Sequence, residues 1–217
     1  MKSRMMFAAG VVGSLGALVS SPAFAQEAEG SSMGAASKMR AQAQFELLPV
    51  GSAKTTVMNE SSDPQDAALA YGITAAFDYA VTPYLSIGVA PRVVFNVAAA
   101  EPMTEPGEQE DKGTEYDLRA RISGHYPIAR GLEVNASVMP GYTFVTSSIE
   151  GAPTAKGFAL AGAVGLTYDV TPRMFVGAEV GYQRAFLSSE IDLGTTKLDL
   201  DADLSYMHVG LGAGTRF

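Results

Sequence analysis

From Met207 to Phe217 the chain alternates at every residue. Met207, Val209, Leu211, Ala213, Thr215 and Phe217 form one series, and His208, Gly210, Gly212, Gly214 and Arg216 form the other. Side chains of a strand point to opposite faces with a period of two, so this segment predicts a strand with one apolar face and one small or polar face. The same period runs through 173–187, where Met174, Val176, Ala178, Val180, Tyr182 and Phe186 oppose Phe175, Gly177, Glu179, Gly181, Gln183 and Ala185. It recurs in 157–169, with Phe158, Leu160, Val164, Leu166 and Tyr168 against Ala159, Ala161, Ala163 and Thr167. In 114–126 it sets Tyr116, Leu118, Ala120, Ile122 and Tyr126 against Asp117, Arg119, Arg121, Ser123 and His125. Eight strands are predicted, over 40–50, 67–80, 84–97, 114–126, 132–146, 157–169, 173–187 and 203–217.

A reversal motif punctuates them. Tyr79-Ala80-Val81-Thr82-Pro83 and Tyr168-Asp169-Val170-Thr171-Pro172 each end one strand on an aromatic and turn at Pro, with a weaker copy at Tyr126-Pro127-Ile128-Ala129-Arg130-Gly131. Pro presets φ and cannot continue a ladder, which suits a turn. Longer polar stretches, 52–66, 98–113, 147–156 and 188–202, lie between these short turns. Short turns at one end and long loops at the other, with apolar and polar faces on every strand, predict an all-β, eight-stranded antiparallel up-and-down transmembrane β-barrel over 40–217. A soluble sandwich also alternates, but it does not require one short and one long loop set. Pro49, Pro91 and Pro140 interrupt predicted strands, and each removes a ladder donor, so a bulge or local gap is expected there.

The first residues agree. Lys2 and Arg4 precede an uncharged, mostly apolar run, Met5 to Val19, and then the small-x-small triplet Ala23-Phe24-Ala25. The run is shorter than the roughly 20 residues of a spanning helix, so residues 1–25 read as a secretory signal peptide. Residues 26–39, rich in Gly, Ser, Ala and Glu, read as a flexible periplasmic tail. Loss of residues 1–25 would remove two positive charges from a chain of net charge −8, which argues against nucleic acid as a partner. There is no cysteine, so neither a disulfide nor a thiolate metal site is available.

An eight-stranded barrel has an interior that side chains can fill. Glu46, Arg92, Arg119, Arg121, Glu179 and His208 fall on inward positions near mid-depth. Lone charges there would be costly, so an ion-paired network is expected, with Glu46 and Glu179 meeting some of the arginines. The small-residue strips Ala159-Ala161-Ala163 and Gly210-Gly212-Gly214 are expected to leave local room inside. Tyr79, Tyr84, Tyr126 and Tyr168 sit beside the short turns, where an amphipathic ring suits the membrane–water interface.

The alternating carboxy-terminal strand ending on Phe217 resembles the closing strand of bacterial outer-membrane barrels. The charged interior resembles that of the membrane domain of outer-membrane protein A and of small relatives such as outer-membrane proteins X and W. The resemblance implies that Phe217 is read by the barrel assembly machinery. It places the chain in the outer membrane of a Gram-negative-type bacterium, as a monomer among lipid and lipopolysaccharide. A side opening beside a strand proline, as in outer-membrane protein W and the lipid A palmitoyltransferase, is the alternative to a simple bulge.

The loops and histidines carry the remaining chemistry. Glu101, Glu105, Glu108, Glu110 and Asp111 crowd one long loop, and Glu190, Asp192, Asp199, Asp201 and Asp203 another. Such acids either stay solvated or hold Ca²⁺ or Mg²⁺ against lipopolysaccharide, with no dedicated metal site or cofactor expected. Arg184 lies 12 residues beyond Pro172 on an outward position. At about 3.3 Å per residue and a tilt near 45° this is roughly 28 Å up the wall, so Arg184 is a candidate lipopolysaccharide contact. Ser123, His125 and the acids Glu115 and Asp117 share a strand, but their order and inward face do not match barrel lipid A deacylases, and no hydrolase motif occurs. The expected role is therefore structural and surface-facing rather than enzymatic. The alternative is a narrow channel or carrier for small, even apolar, solutes.

Overall fold

Eight long strands follow one another along the chain: β1 Met39–Val57, β2 Ala70–Thr82, β3 Leu85–Val97, β4 Gly113–Ala129, β5 Leu132–Thr146, β6 Ala155–Asp169, β7 Met174–Asp192 and β8 Lys197–Arg216. The structure, a computed structural model, describes residues 38–57, 60–98, 112–148, 154–192 and 197–217. The segment expected to be a signal peptide, nearly all of the expected amino-terminal tail and the acidic stretch 99–111 lie outside these. Each strand pairs antiparallel with the next, and β8 pairs with β1 to close the ring. Closure leaves no free edge along the paired wall, which is what a β-structure needs where no water can satisfy its backbone. At the seam, Met39 and Phe217 exchange backbone hydrogen bonds of 2.9 Å in each direction.

The alternation read from the sequence sets the faces. On β8, His208, Gly210 and Arg216 are buried and Met207, Val209, Leu211 and Phe217 are exposed. β4, β6 and β7 divide in the same way. Short turns join β2 to β3, β4 to β5 and β6 to β7. In the turn after β4, Gly131 takes φ +75°, a conformation that would strain any other residue.

The strands are longer than predicted at the long-loop end. β1 continues to Val57, through much of the expected loop 52–66, and is met by short pairings at Gln65–Asp66 and Glu60–Ser61. The expected loop 188–202 is mostly strand, since β7 runs to Asp192 and β8 starts at Lys197. The β1 and β7 extensions are largely polar and carry little alternation. In β8, Leu198, Leu200 and Ala202 do alternate with Lys197, Asp199, Asp201 and Asp203, but the acidic composition reads as a loop.

The three strand prolines act differently. Between Leu47 and Val50 the β1–β8 register shifts, so Pro49 lies in a bulge. Beyond it the inward positions of β1 pass from even to odd numbers: Glu46 and Leu48 are buried, whereas Gly51 and Ala53 stand opposite the inward-facing Tyr206 and Leu204. At Pro91 and Pro140 the register holds and only pairing lapses, on the β2 side of Pro91 and the β4 side of Pro140. A further bulge at Asn96, φ 63°, is tied by its side-chain amide to Leu69 O at 2.7 Å.

Candidate functional site in the lumen

Three strands on one side of the barrel and β7 on the other aim charged side chains at a common point. Arg92 of β3 donates from Nε to Glu46 Oε2 of β1 at 2.7 Å. Its Nη1 faces Gln183 Oε1 of β7 at 2.5 Å, and Glu115 Oε1 and Asp117 Oδ2 of β4 at 3.3 Å each. Arg119 donates to Asp117 and, at 2.5 Å, to Gln183 Oε1. Thr74 and Thr143 donate to Glu46 and Asp117, and Gln183 Nε2 donates to Glu115 at 3.0 Å. The side chains of Arg92 and Glu115 are wholly out of solvent. Charges so buried persist only when paired and hydrogen-bonded, and here each is.

Toward the short turns a second tier follows. Arg121 pairs with Asp78 at 3.3 Å and faces Glu179 at 3.9 Å, and Glu179 faces His208 Nε2 at 3.6 Å. A third tier lies at the mouth. Arg40 meets both oxygens of Glu133, at 2.8 and 3.1 Å, and Arg216 pairs with Asp169. His125 sits between Glu133 and Ser86, at 2.9 and 2.8 Å.

Toward the long loops the lumen turns apolar. Leu48, Val94, Ala159, Ala185, Leu187, Leu204 and Tyr206 pack together above the charges, and Ala76, Ala90, Met139, Ala161 and Ala163 form a second buried cluster. The glycine strip does not leave the expected room, and the alanines of the other strip belong to these buried clusters. A Cβ added at Gly210 would lie 1.7 Å from Gln44 Nε2, and one at Gly214 would lie 2.3 Å from the Phe175 ring. Their missing side chains are the spaces that Gln44 and Phe175 fill.

Of the six predicted lumen residues, Glu46 and Arg92 meet directly, while Glu179 faces Arg121 and His208 at longer range. Arg119 meets neither glutamate and pairs with Asp117. Glu115, Asp117 and Gln183 complete the centre and were not foreseen as its members; their inward parity was the available signal. Ser123 does not meet His125, and Glu115 and Asp117 belong to the central tier, so that set is not assembled.

On the lipid-facing side, Tyr79, Tyr84, Tyr126 and Tyr168 are all exposed beside the short turns. A second aromatic belt, not foreseen, lies toward the long loops, with Tyr71 against Phe95 at 5.6 Å and Tyr142 against Phe144 at 5.1 Å. Arg184 points outward as expected but is already bound. It makes a bidentate contact with Asp203 and lies 4.8 Å above the Phe186 ring. An apolar groove opens outward at Pro91, lined by Ile73, Ala75, Val93, Leu118 and Phe144.

Residues 13–217 match the family model described as outer membrane protein beta-barrel domain. No curated protein matches this sequence. Among solved structures, the outer membrane protein OprG from Pseudomonas aeruginosa is similar over 83% of this chain and 96% of its own, with 13% identity and a TM-score of 0.59. Outer membrane protein AlkL, solved in lipid bilayers, is similar over 83% of this chain and 90% of its own, with 18% identity and a TM-score of 0.55. At such identities the likeness is one of fold. The family match covers the whole paired wall, and the chain belongs to the outer-membrane β-barrel family.

Proposed function

We propose that this protein is an ion-tight outer-membrane barrel whose role is structural and surface-facing. The observation that carries this is the Arg92 centre, where side chains from β1, β3, β4 and β7 converge with no exposed charge. An ion crossing the lumen would have to part Arg92 from Glu46 and Gln183, breaking its two shortest contacts in a site without solvent. In a planar bilayer the refolded mature protein is expected to give no conductance steps. Discrete steps from a folded, heat-modifiable barrel would overturn the reading.

Outward, the Arg184–Asp203 pair supports contact with lipopolysaccharide. Asp203 takes the Nε and Nη2 donors of Arg184, and Nη1 is left for a phosphate. Replacing Arg184 with Ala should lower the lipopolysaccharide retained by purified protein, and unchanged retention would remove this contact.

A second reading, carriage of a small apolar molecule through the wall, is favoured by one observation. The ladder lapse at Pro91 stands between the external apolar groove and the buried Ala76 and Ala90.

A further inference from the structure

The mouth tier contains an arrangement that the plug does not need. Ser86 Oγ lies 2.8 Å from His125 Nε2, and His125 Nδ1 lies 2.9 Å from Glu133 Oε1. The three come from β3, β4 and β5, and all are buried. Arg40 Nη1 also approaches Nδ1, at 3.1 Å, but arginine offers only donors, and the shorter contact is to the carboxylate. Placing the Nδ1 proton toward Glu133 leaves Nε2 as the acceptor of the Ser86 hydroxyl. Nucleophile, base and orienting acid then stand within hydrogen-bond reach in the required order.

The neighbouring hydroxyls add a further element. Ser86 stands directly opposite Ser123, and Ser123 opposite Ser137, in a row across the inner face. The Ser123 and Ser137 hydroxyls are buried and have no hydrogen-bond partner. An unpaired buried donor is costly, and Ser123, one strand from Ser86, offers what a developing oxyanion requires, while Ser137 stands one strand farther off.

We propose that Ser86, His125 and Glu133 form a hydrolytic site for a small, polar acyl ester entering from the periplasmic mouth. Ser86 Oγ attacks the ester carbonyl while His125 Nε2 takes its proton. The C–O bond to the alcohol breaks, and His125 returns the proton to the departing oxygen. Water then attacks the acyl-serine, with His125 again the base, releasing the carboxylic acid and restoring Ser86. Glu133 holds the ring and offsets its transient positive charge, and Arg40, bound across Glu133, fixes that carboxylate. Ser123 stands opposite Ser86 and Asn135 opposite His125, so the cross-strand neighbours of the pair are polar and suit a small polar acyl group. This site departs from the expectation of a non-enzymatic barrel and is independent of whether the centre conducts.

The test uses the full mature chain refolded in lipid vesicles, with folding verified by heat modifiability, and diisopropyl fluorophosphate as the probe. Peptide mapping by mass spectrometry is expected to place a single phosphoryl adduct on Ser86. Replacing His125 with Gln should slow its formation by about 100-fold or more, the usual worth of a positioned base. Replacing Glu133 with Gln should slow it by a smaller factor. A folded barrel with no adduct on Ser86, or equal labelling rates in parent and H125Q, would overturn the proposal.

Discussion

The Arg92 guanidinium lies out of water, yet three carboxylates and an amide oxygen surround it. Removing one member of such a group leaves the others as uncompensated buried charges, at a cost of about 3–5 kcal/mol. Replacing Arg92 with Met should lower unfolding stability by that order, measured by urea titration in vesicles. The same logic ranks the two predicted glutamates. Glu46 binds Arg92 at 2.7 Å and accepts from Thr74, whereas the guanidinium that faces Glu179, that of Arg121, is 3.9 Å away. Replacing Glu46 with Gln should therefore destabilise more than replacing Glu179 with Gln, and the reverse order would contradict the paired centre. At Gly214 the Phe175 ring occupies the position of an added Cβ. Leu in its place should cost roughly 1–3 kcal/mol by overpacking, seen in the same titration. Inwardness of all these residues was legible, because parity on a strand fixes the face. Partner choice was not. Arg119 reaches Asp117, two residues along its own strand, and Gln183, on β7 across the barrel. That choice depends on register and tilt, which no local pattern encodes.

At the scale of the strand, the prolines show how one missing N–H is handled. At Pro91 the register is kept and pairing lapses toward β2 alone, so the lost donor is the one that faced Ala75 and Ala76. Replacing Pro91 with Val should restore that hydrogen bond and add about 1 kcal/mol of stability. Hydrogen exchange of the Ala75 amide, which faces position 91, should slow at the same time. Unchanged exchange would mean that the gap is held open by packing rather than by proline. Strand existence and facing were readable wherever lipid demands one apolar face, as in β4, β6 and β8. They became unreadable in two places for different reasons. In β1 the bulge at Pro49 reverses parity, so a continuous strand resembles an interrupted one. In β7 beyond Leu187 the run Ser188-Ser189-Glu190 is polar on both faces, and in β8 before Leu204 the alternation of Leu198, Leu200 and Ala202 with Lys197, Asp199, Asp201 and Asp203 lies under an acidic composition that reads as loop.

At the scale of the molecule, closure depends on β1 and β8 finding each other, the two strands farthest apart in sequence. Phe217 contributes its backbone to that seam through Met39, while its ring lies exposed on the wall, at 56% of its area. These contributions separate. Replacing Phe217 with Ala should leave spontaneous refolding in detergent nearly unchanged, because the backbone bonds remain. It should slow insertion in membranes containing the assembly machinery. Equal insertion rates for parent and F217A would show that the terminal ring is not an address.

The extended strands also decide how the barrel meets its surroundings. β1, β7 and β8 outrun their neighbours: β1 keeps β8 as a partner as far as Val57, but its pairing with β2 stops at Leu48–Ala70. β7 likewise continues four residues past Ser188, its last pairing with β6. Within the described residues the long-strand pairing thus reaches farthest at the seam, along β7, β8 and β1. A molecule of near-cylindrical topology thereby acquires a front and a back. Azimuth in the plane of the membrane, which an evenly paired barrel would leave without meaning, is written into the lengths of three strands.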